Sequence, residues 1–356
     1  MKKLEYLIKI NLSEDATVII SWVYESMNAI IAIKTYEIGI IHQNTRFPWI
    51  KSIHLNRMSI GNYMLNLLLS LSLLSIVYAS TFNQLSFSGG GAFGAVEIGI
   101  LKHLTEHKQI PNYDLYTGIS AGALNAGFLS YYDNIHQGTI IAESIYNSLK
   151  TREIYSILPT TGISILNTAP LKKTLTTVLN QIDSHPTILT LIGATNLYSG
   201  SLDIYEFDAS LSDENKIDLL MASSAIPVMF PPISYEGQLY ADGGVISNEL
   251  LLVDTPCTVD YINITYITPY QGEIYDNTPL TDTKSVLERT IKIIYTNFNN
   301  PLVEMNQNCI NPIGEINQYY VESEALSGYS MLDFDKGAEL IRIGYENVKH
   351  RQYKIC

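Results

Sequence analysis

Three short blocks contain residues able to do chemistry together: Gly89-Gly90-Gly91-Ala92-Phe93-Gly94, Gly118-Ile119-Ser120-Ala121-Gly122 and Asp242-Gly243-Gly244. The first is a glycine loop running into an expected helix, and the unpaired backbone N–H groups of Gly89, Gly90, Gly91 and Gly94 suit a developing oxyanion. The second puts Ser120 on a strand-to-helix turn, where Gly118 and Gly122 let the backbone bend and expose the hydroxyl. The third offers the Asp242 carboxylate in a tight turn, with Gly243 and Gly244 supporting it. A nucleophile, a base and an anion cradle are the parts of ester acyl transfer. Each block alone has a blander reading. Serine caps helices, aspartate before glycine makes turns, and a glycine loop can cradle nucleotide phosphates. The nucleotide reading lacks both an acidic ribose ligand at the expected distance and a Walker lysine.

In this order the blocks resemble the patatin-like phospholipases, which carry Gly-Gly-Gly-x-Arg/Lys-Gly, then Gly-x-Ser-x-Gly, then Asp-Gly-Gly or Asp-Gly-Ala. The resemblance covers about residues 83 to 256 and takes in Ala222 to Pro232, which looks like the segment preceding the Asp block in that family. It implies a three-layer α/β/α sandwich and a Ser120–Asp242 dyad: Asp242 takes the Ser120 proton, and an acyl-enzyme forms and is hydrolysed by water. It implies lipid esters as substrates, met at a membrane or lipid interface, and no cofactor. Acyl transfer to an alcohol, and a catalytically weak lipid-binding or interaction protein, are the alternatives. The family's basic residue is replaced by Phe93; because backbone N–H groups do most of the oxyanion work, the expectation is a tuned site rather than an abolished one.

Histidine positions favour the dyad over a triad. An α/β-hydrolase triad runs Ser, acid, His, and after Asp242 only His350 remains, near the end of the chain on an expected surface helix. His103 and His107 share a helix without the glutamate of an HExxH zinc site, and His136 and His185 are expected in loops. Cys257, Cys309 and Cys356 are widely separated, with no ligand spacing, so no metal site is expected.

Composition narrows the function classes. The chain has 356 residues, 46% of them hydrophobic and 16% charged, which is ample for a substantial core. Its formal charge of −13 argues against nucleic acid, whose phosphates need a basic footprint.

Met64 to Ala79 is an uncharged apolar run ending Val77-Tyr78-Ala79, with Lys51, His54 and Arg57 upstream, in the manner of a signal peptide. It is shorter than the ~20 residues that span a bilayer comfortably. Either translation starts at Met58 or Met64, making residues 1–57 an artefact, or the run is an internal signal anchor. Both send the protein into the secretory pathway, secreted or membrane-anchored. The bland reading makes the apolar stretches buried helices of a larger domain.

The expected organisation is therefore an extension over 1–57, a signal peptide or anchor over 58–81, a catalytic domain over 83–256 and a C-terminal part over 257–356. Alternating patterns predict strands at Phe82 to Ser88, Asp114 to Gly118, Ile188 to Asn196 and Ser201 to Phe207, with Val259 to Thr268 as the last core strand. Helices are expected at Ala95 to His107, after Ser120, and at Ile140 to Lys150, Leu171 to Gln181, Asp213 to Ser224, Thr283 to Phe298 and Asp335 to His350.

Overall fold

The computed structural model describes residues 82–107, 110–157, 162–252, 257–263 and 314–355. By contact density the chain divides into Met1–Ser80 and Thr81–Cys356, and every described residue lies in the second unit. In chain order its elements are β1 (Phe82–Phe87), α1 (Gly94–His107), β2 (Leu115–Ile119), α2 (Ala121–Leu129), α3 (Ile135–Ser148), β3 (Ser156–Ile157), β4 (Leu166–Asn167) and α4 (Ala169–Leu179). There follow β5 (Leu189–Asn196), β6 (Leu202–Glu206), α5 (Asp213–Ser223), β7 (Ile233–Tyr235), β8 (Gln238–Asp242), β9 (Cys257–Asn263), β10 (Gly314–Tyr320), α6 (Gly337–Glu346) and β11 (Lys349–Ile355). The class is α/β, with one central sheet in the order β11-β10-β9-β1-β2-β5-β8-β7 and β6 beside β5.

The sheet centre is parallel and buried on both faces, so its strands do not alternate simply between apolar and polar. On one face Leu85, Phe87 and Tyr116 join a core with Val96, Ile100 and Leu104 of α1 and Leu340 and Ile343 of α6. On the other, Gln84 and Ser86 of β1 and Thr117 of β2 are fully buried polar residues. They satisfy the backbone of the segment crossing that face: Gln84 Nε2 and Thr117 Oγ1 each donate to Leu250 O at 2.7 Å, and Leu252 N donates to Gln84 Oε1 at 3.0 Å. Burying them unpaired would cost about 1–3 kcal/mol each. The helices begin with recognisable caps: Asn134 Oδ1 accepts from Gln137 N at 3.2 Å ahead of α3, and Ser212 Oγ from Asn215 N at 3.2 Å ahead of α5.

Register at β5 creates the site. Strand β2 pairs in parallel with β5 from Leu189 to Gly193. Strand β6 pairs with Leu191 to Thr195, and β8 with Ala194 to Asn196. Each residue offers one ladder per edge, so β8 takes over, beyond Gly193, the edge that β2 has left. The end of β2 (Ile119 opposite Gly193) and the end of β8 (Asp242 opposite Ala194) therefore meet head to head.

Several expectations need correction. Strand β9 is not the last strand of the sheet, since β10 and β11 extend the edge beyond it. The terminal segment is a helix only to Glu346 and then turns into β11, which carries His350. The sequence reading missed this strand because Lys349-His350-Arg351-Gln352 is polar, as an edge strand can be. His136 lies in α3 rather than a loop, and the antiparallel pairs β3–β4 and β7–β8 were not anticipated. Residues 1–81, the helix expected at Thr283 to Phe298, and Cys309 fall outside the described residues. No helix among the described residues is long and apolar enough to cross a membrane.

Candidate active site

Ser120 sits between β2 and α2 with φ 56° and ψ −123°. A non-glycine residue there is strained, and such strain persists only where the surroundings enforce it. Here the enforcement is backbone packing. A Cβ on Gly122 would lie 2.4 Å from Ser88 O and 2.5 Å from Phe87 O, so only glycine lets α2 start against the end of β1. Ser120 N donates to Ser223 Oγ at 3.0 Å, and Ser223 Oγ donates to Gly193 O at 2.7 Å. The hydroxyl of Ser223 thus ties the turn to the end of α5 and to β5.

The head-to-head strand ends bring the two chemical residues together. Ser120 Oγ donates to Asp242 Oδ2 at 2.6 Å, across 122 residues of sequence. The exposed fraction is 1% for Ser120 and 0% for Asp242. Asp242 Oδ1 accepts from Gly244 N at 2.8 Å, Asp242 N donates to Ala225 O at 2.9 Å, and Thr195 Oγ1 donates to Asp242 O at 2.9 Å. These bonds fix both the carboxylate plane and the backbone behind it. Gly243 and Gly244 form the single turn that follows. Ala225 belongs to the block ending at Pro232, so that segment holds the backbone of Asp242.

The glycine loop lies beside this pair: a Cβ on Gly89 would stand 2.8 Å from Ser120 Cβ. Its N–H groups have different fates. Gly89 N donates to Asn248 Oδ1 at 3.2 Å, and Gly94 N to Gly91 O. Ala92 N donates to Met331 O at 2.7 Å and Phe93 N to Gly90 O at 3.2 Å. The N–H groups of Gly90 and Gly91 have no acceptor among the described residues, so of the four expected donors these two remain available. Phe93 is 5% exposed and packs in the core with α1 and α6; it faces inward, where a basic side chain would need a buried partner.

Four side chains that the sequence reading passed over hold this arrangement. Asn248 grips Gly89 at both ends, its Nδ2 donating to Gly89 O at 3.2 Å while its Oδ1 accepts from Gly89 N. Asn125 of α2 donates through Nδ2 to Gly94 O at 3.0 Å and to Glu97 Oε2 at 2.8 Å, joining the helix that follows Ser120 to the start of α1. Glu97 is fully buried, and burial pushes its carboxyl well above the usual range despite hydrogen bonds from Asn125 and Ser88. Ser223 is the fourth. Asn248 offered a signal, six residues after Asp242, and Ser223 lies in the Ala222 to Pro232 segment; Asn125 and Glu97 are ordinary helix residues in sequence.

Histidine is placed elsewhere. His350 lies on β11, four strands from β2 in the sheet order, or roughly 19 Å at normal strand spacing. His103 Nδ1 bonds Tyr345 O at 2.9 Å, and His136 Nδ1 bonds Thr105 Oγ1 at 3.1 Å. Among the described residues no group of three His, Cys, Asp or Glu side chains could hold a metal ion.

Residues 85–254 match the sequence profile of the family described as Patatin-like phospholipase. Among solved structures, the chain is similar to VipD from Legionella pneumophila at 16% identity and TM-score 0.38, covering 75% of this chain and 66% of that one. It is also similar to the type III effector protein ExoU at 10% identity and TM-score 0.29, covering 77% of this chain and 55% of that one. No curated protein sequence matches the chain.

Proposed function

Residues 85–254 are a patatin-like phospholipase domain, and on that premise we propose that the chain is a lipid acyl hydrolase of the phospholipase A or lysophospholipase type, with Ser120 as nucleophile and Asp242 as base. The observation that carries this reading is the 2.6 Å hydrogen bond from Ser120 Oγ to Asp242 Oδ2 at a strained turn. Asp242 Oδ2 takes the Ser120 proton as Oγ attacks the ester carbonyl. The carbonyl oxygen becomes an anion held by the free N–H groups of Gly90 and Gly91, donors whose orientation is set before the reaction. When the tetrahedral species collapses, the leaving alcohol takes the proton from Asp242 and the acyl group stays on Ser120. Water then attacks the acyl-enzyme, giving its proton to the same carboxylate, and Oγ recovers that proton as the free acid departs.

Apart from the Ser120–Asp242 bond itself, the polar groups of this scheme are backbone or are held by backbone. Gly244 N engages Asp242 Oδ1, leaving Oδ2 for the serine. The Asn248 grip on Gly89 sets the position of the two peptide units that follow.

A fluorophosphonate probe tests the reading, because only an activated serine reacts with it. The expected result is one label per chain, lost in Ser120→Ala. A wild-type protein that stays unlabelled would leave a lipid-binding role. Labelling with acyl transfer to an added alcohol, and no hydrolysis, would replace water as the acceptor.

A further inference from the structure

Two carboxyl groups are buried behind the glycine loop, Glu97 on α1 and Glu249 in the segment after Asp242, and no cation among the described residues pairs with either. They are the ends of one chain of hydrogen bonds. Ser88 Oγ meets Glu97 Oε1 at 3.5 Å and also bonds the hydroxyl of Tyr261 on β9, which in turn bonds the Glu249 carboxyl. Of the two Glu249 oxygens, Oε1 has no hydrogen-bond partner among the described residues. A buried carboxylate with an unpartnered oxygen is costly, so the protonated acid is the form this site holds. The other groups facing the pair are Asn125 of α2 and Tyr146 of α3, both on the Glu97 side, while α6 meets α1 through the apolar Leu340 and Ile343.

This chain runs beside the other anchor of the loop. Asn248, the residue before Glu249, takes both polar backbone groups of Gly89, the residue after Ser88. Gly89 O and Gly90 N belong to one planar trans peptide and point in opposite directions, so the bond from Asn248 Nδ2 to Gly89 O aims the free N–H of Gly90. Residues 248–249 and 88–89 are thus tied twice, once by the Asn248 amide and once through Tyr261. The amide cannot titrate, whereas the second tie ends on a carboxyl that can.

Resting on the hydrolase reading above, we propose that Glu249 is a positioning residue of the anion cradle: protonated, it keeps the Asn248 grip on Gly89 through Tyr261 and Ser88, and loss of its proton loosens the Gly90 donor. The new charge must bring water or a donor to Oε1, and the segment that carries Asn248 moves with it. The Gly90 N–H acts on charge that develops only in the transition state, so the effect falls on kcat and not on KM.

The test is kcat and KM for a soluble p-nitrophenyl ester against pH, corrected at each pH for the folded fraction by circular dichroism, in wild type, Glu249→Gln and Tyr261→Phe. In wild type, kcat per folded molecule declines as pH rises through about 7, where burial places the Glu249 carboxyl, and KM holds steady. The expected decline is roughly tenfold, part of the about 10²–10³-fold that loss of a whole oxyanion donor costs. Glu249→Gln cannot titrate and lacks the decline. Tyr261→Phe removes a hydrogen bond that favours the charged carboxylate, so its decline moves to higher pH. A residue that only supports the fold would move neither profile. Serine-dependent turnover whose decline is absent from wild type, or keeps its place in a folded variant, overturns the role of Glu249 alone. Wild-type turnover no greater than that of Ser120→Ala overturns the hydrolase reading, and this inference with it.

Discussion

The corner around Ser120 and the sheet edge formed by β9, β10 and β11 both bury or bridge polar groups, and they do so by different means. At the corner, backbone meets backbone, and beyond the Ser120–Asp242 and Asn125–Glu97 pairs the side chains bind backbone: Ser223 to Ser120 N and Gly193 O, Asn248 to Gly89, Thr195 to Asp242 O. At the edge, side chains hold side chains. Tyr113 Oη donates to Asp260 Oδ2 at 2.6 Å, Asn317 Nδ2 to Asp260 Oδ1 at 3.0 Å, and Lys354 Nζ reaches Glu315 Oε2 at 3.1 Å. Tyr319 and His350 stack with centroids 4.9 Å apart. A backbone contact cannot yield to an added methyl, whereas a side-chain network can rearrange. The corner is therefore specified almost atom by atom, and the edge only by chemical type.

Four measurements would break or sharpen this contrast. The largest effect is expected from Asp242→Asn, which keeps the size and the acceptor for Gly244 N but removes the proposed base. Turnover should fall by about 10³-fold or more with the fold intact, and steady-state kinetics within tenfold of wild type would detach Asp242 from the chemistry.

Next is Gly122→Ala, whose new Cβ meets two carbonyl oxygens at 2.4–2.5 Å. Both belong to backbone, so denaturant unfolding should show a loss of about 3 kcal/mol. A loss under about 1 kcal/mol would mean that the corner adjusts as readily as the edge.

Glu249 stands where the two regions join, hydrogen-bonded by Tyr261 of β9 and adjacent in sequence to Asn248. Burial pushes its carboxyl up to about 7. A carboxyl raised in the folded state binds its proton more tightly there than in the unfolded chain, so stability is highest at low pH. It then declines as pH rises from about 4.5 through about 7, by roughly 3 kcal/mol. Glu97 acts in the same direction. Melting temperatures across that window should fall with pH in wild type and fall less steeply in Glu249→Gln; equal slopes would remove Glu249 from the pH response.

The smallest effect belongs to the edge. Asp260→Asn keeps one acceptor, for Tyr113 Oη, but sets an NH2 group where Asp260 Oδ1 accepts from Asn317 Nδ2, so unfolding free energy should drop by about 1–2 kcal/mol. Turnover per folded molecule should not change, and a large loss of kcat would show that the edge reaches the active site.

Much of the corner was legible in sequence because its constraints fall on residue types. Gly118 and Gly122 are readable since only glycine fits those backbone contacts, and strands β1, β2 and β5 are readable from their apolar content. Among the described residues, helix limits came within a few residues, except that α3 starts at Ile135 and that α6 ends at Glu346 and gives way to β11. The edge was not legible: β10 and β11 mix polar and aromatic residues, and their pairing depends on partners far away in the chain. Within the site, Asn125 and Glu97 were invisible because a helix residue shows its function only through what packs against it.

The sequence by itself determined the chemical inventory: a serine between glycines at a strand-to-helix turn, a carboxylate before two glycines, and a glycine loop. Tertiary structure decided how these meet. Strand β8 continues the edge of β5 that β2 leaves, and this register puts Asp242 Oδ2 2.6 Å from Ser120 Oγ. It also decided which loop N–H groups stay free, since Asn248 takes that of Gly89 and the carbonyl of Gly91 takes that of Gly94. The physical reason is that local sequence sets backbone conformation through sterics acting over a few residues, whereas hydrogen-bond partners more than a hundred residues apart are chosen by how the sheet assembles.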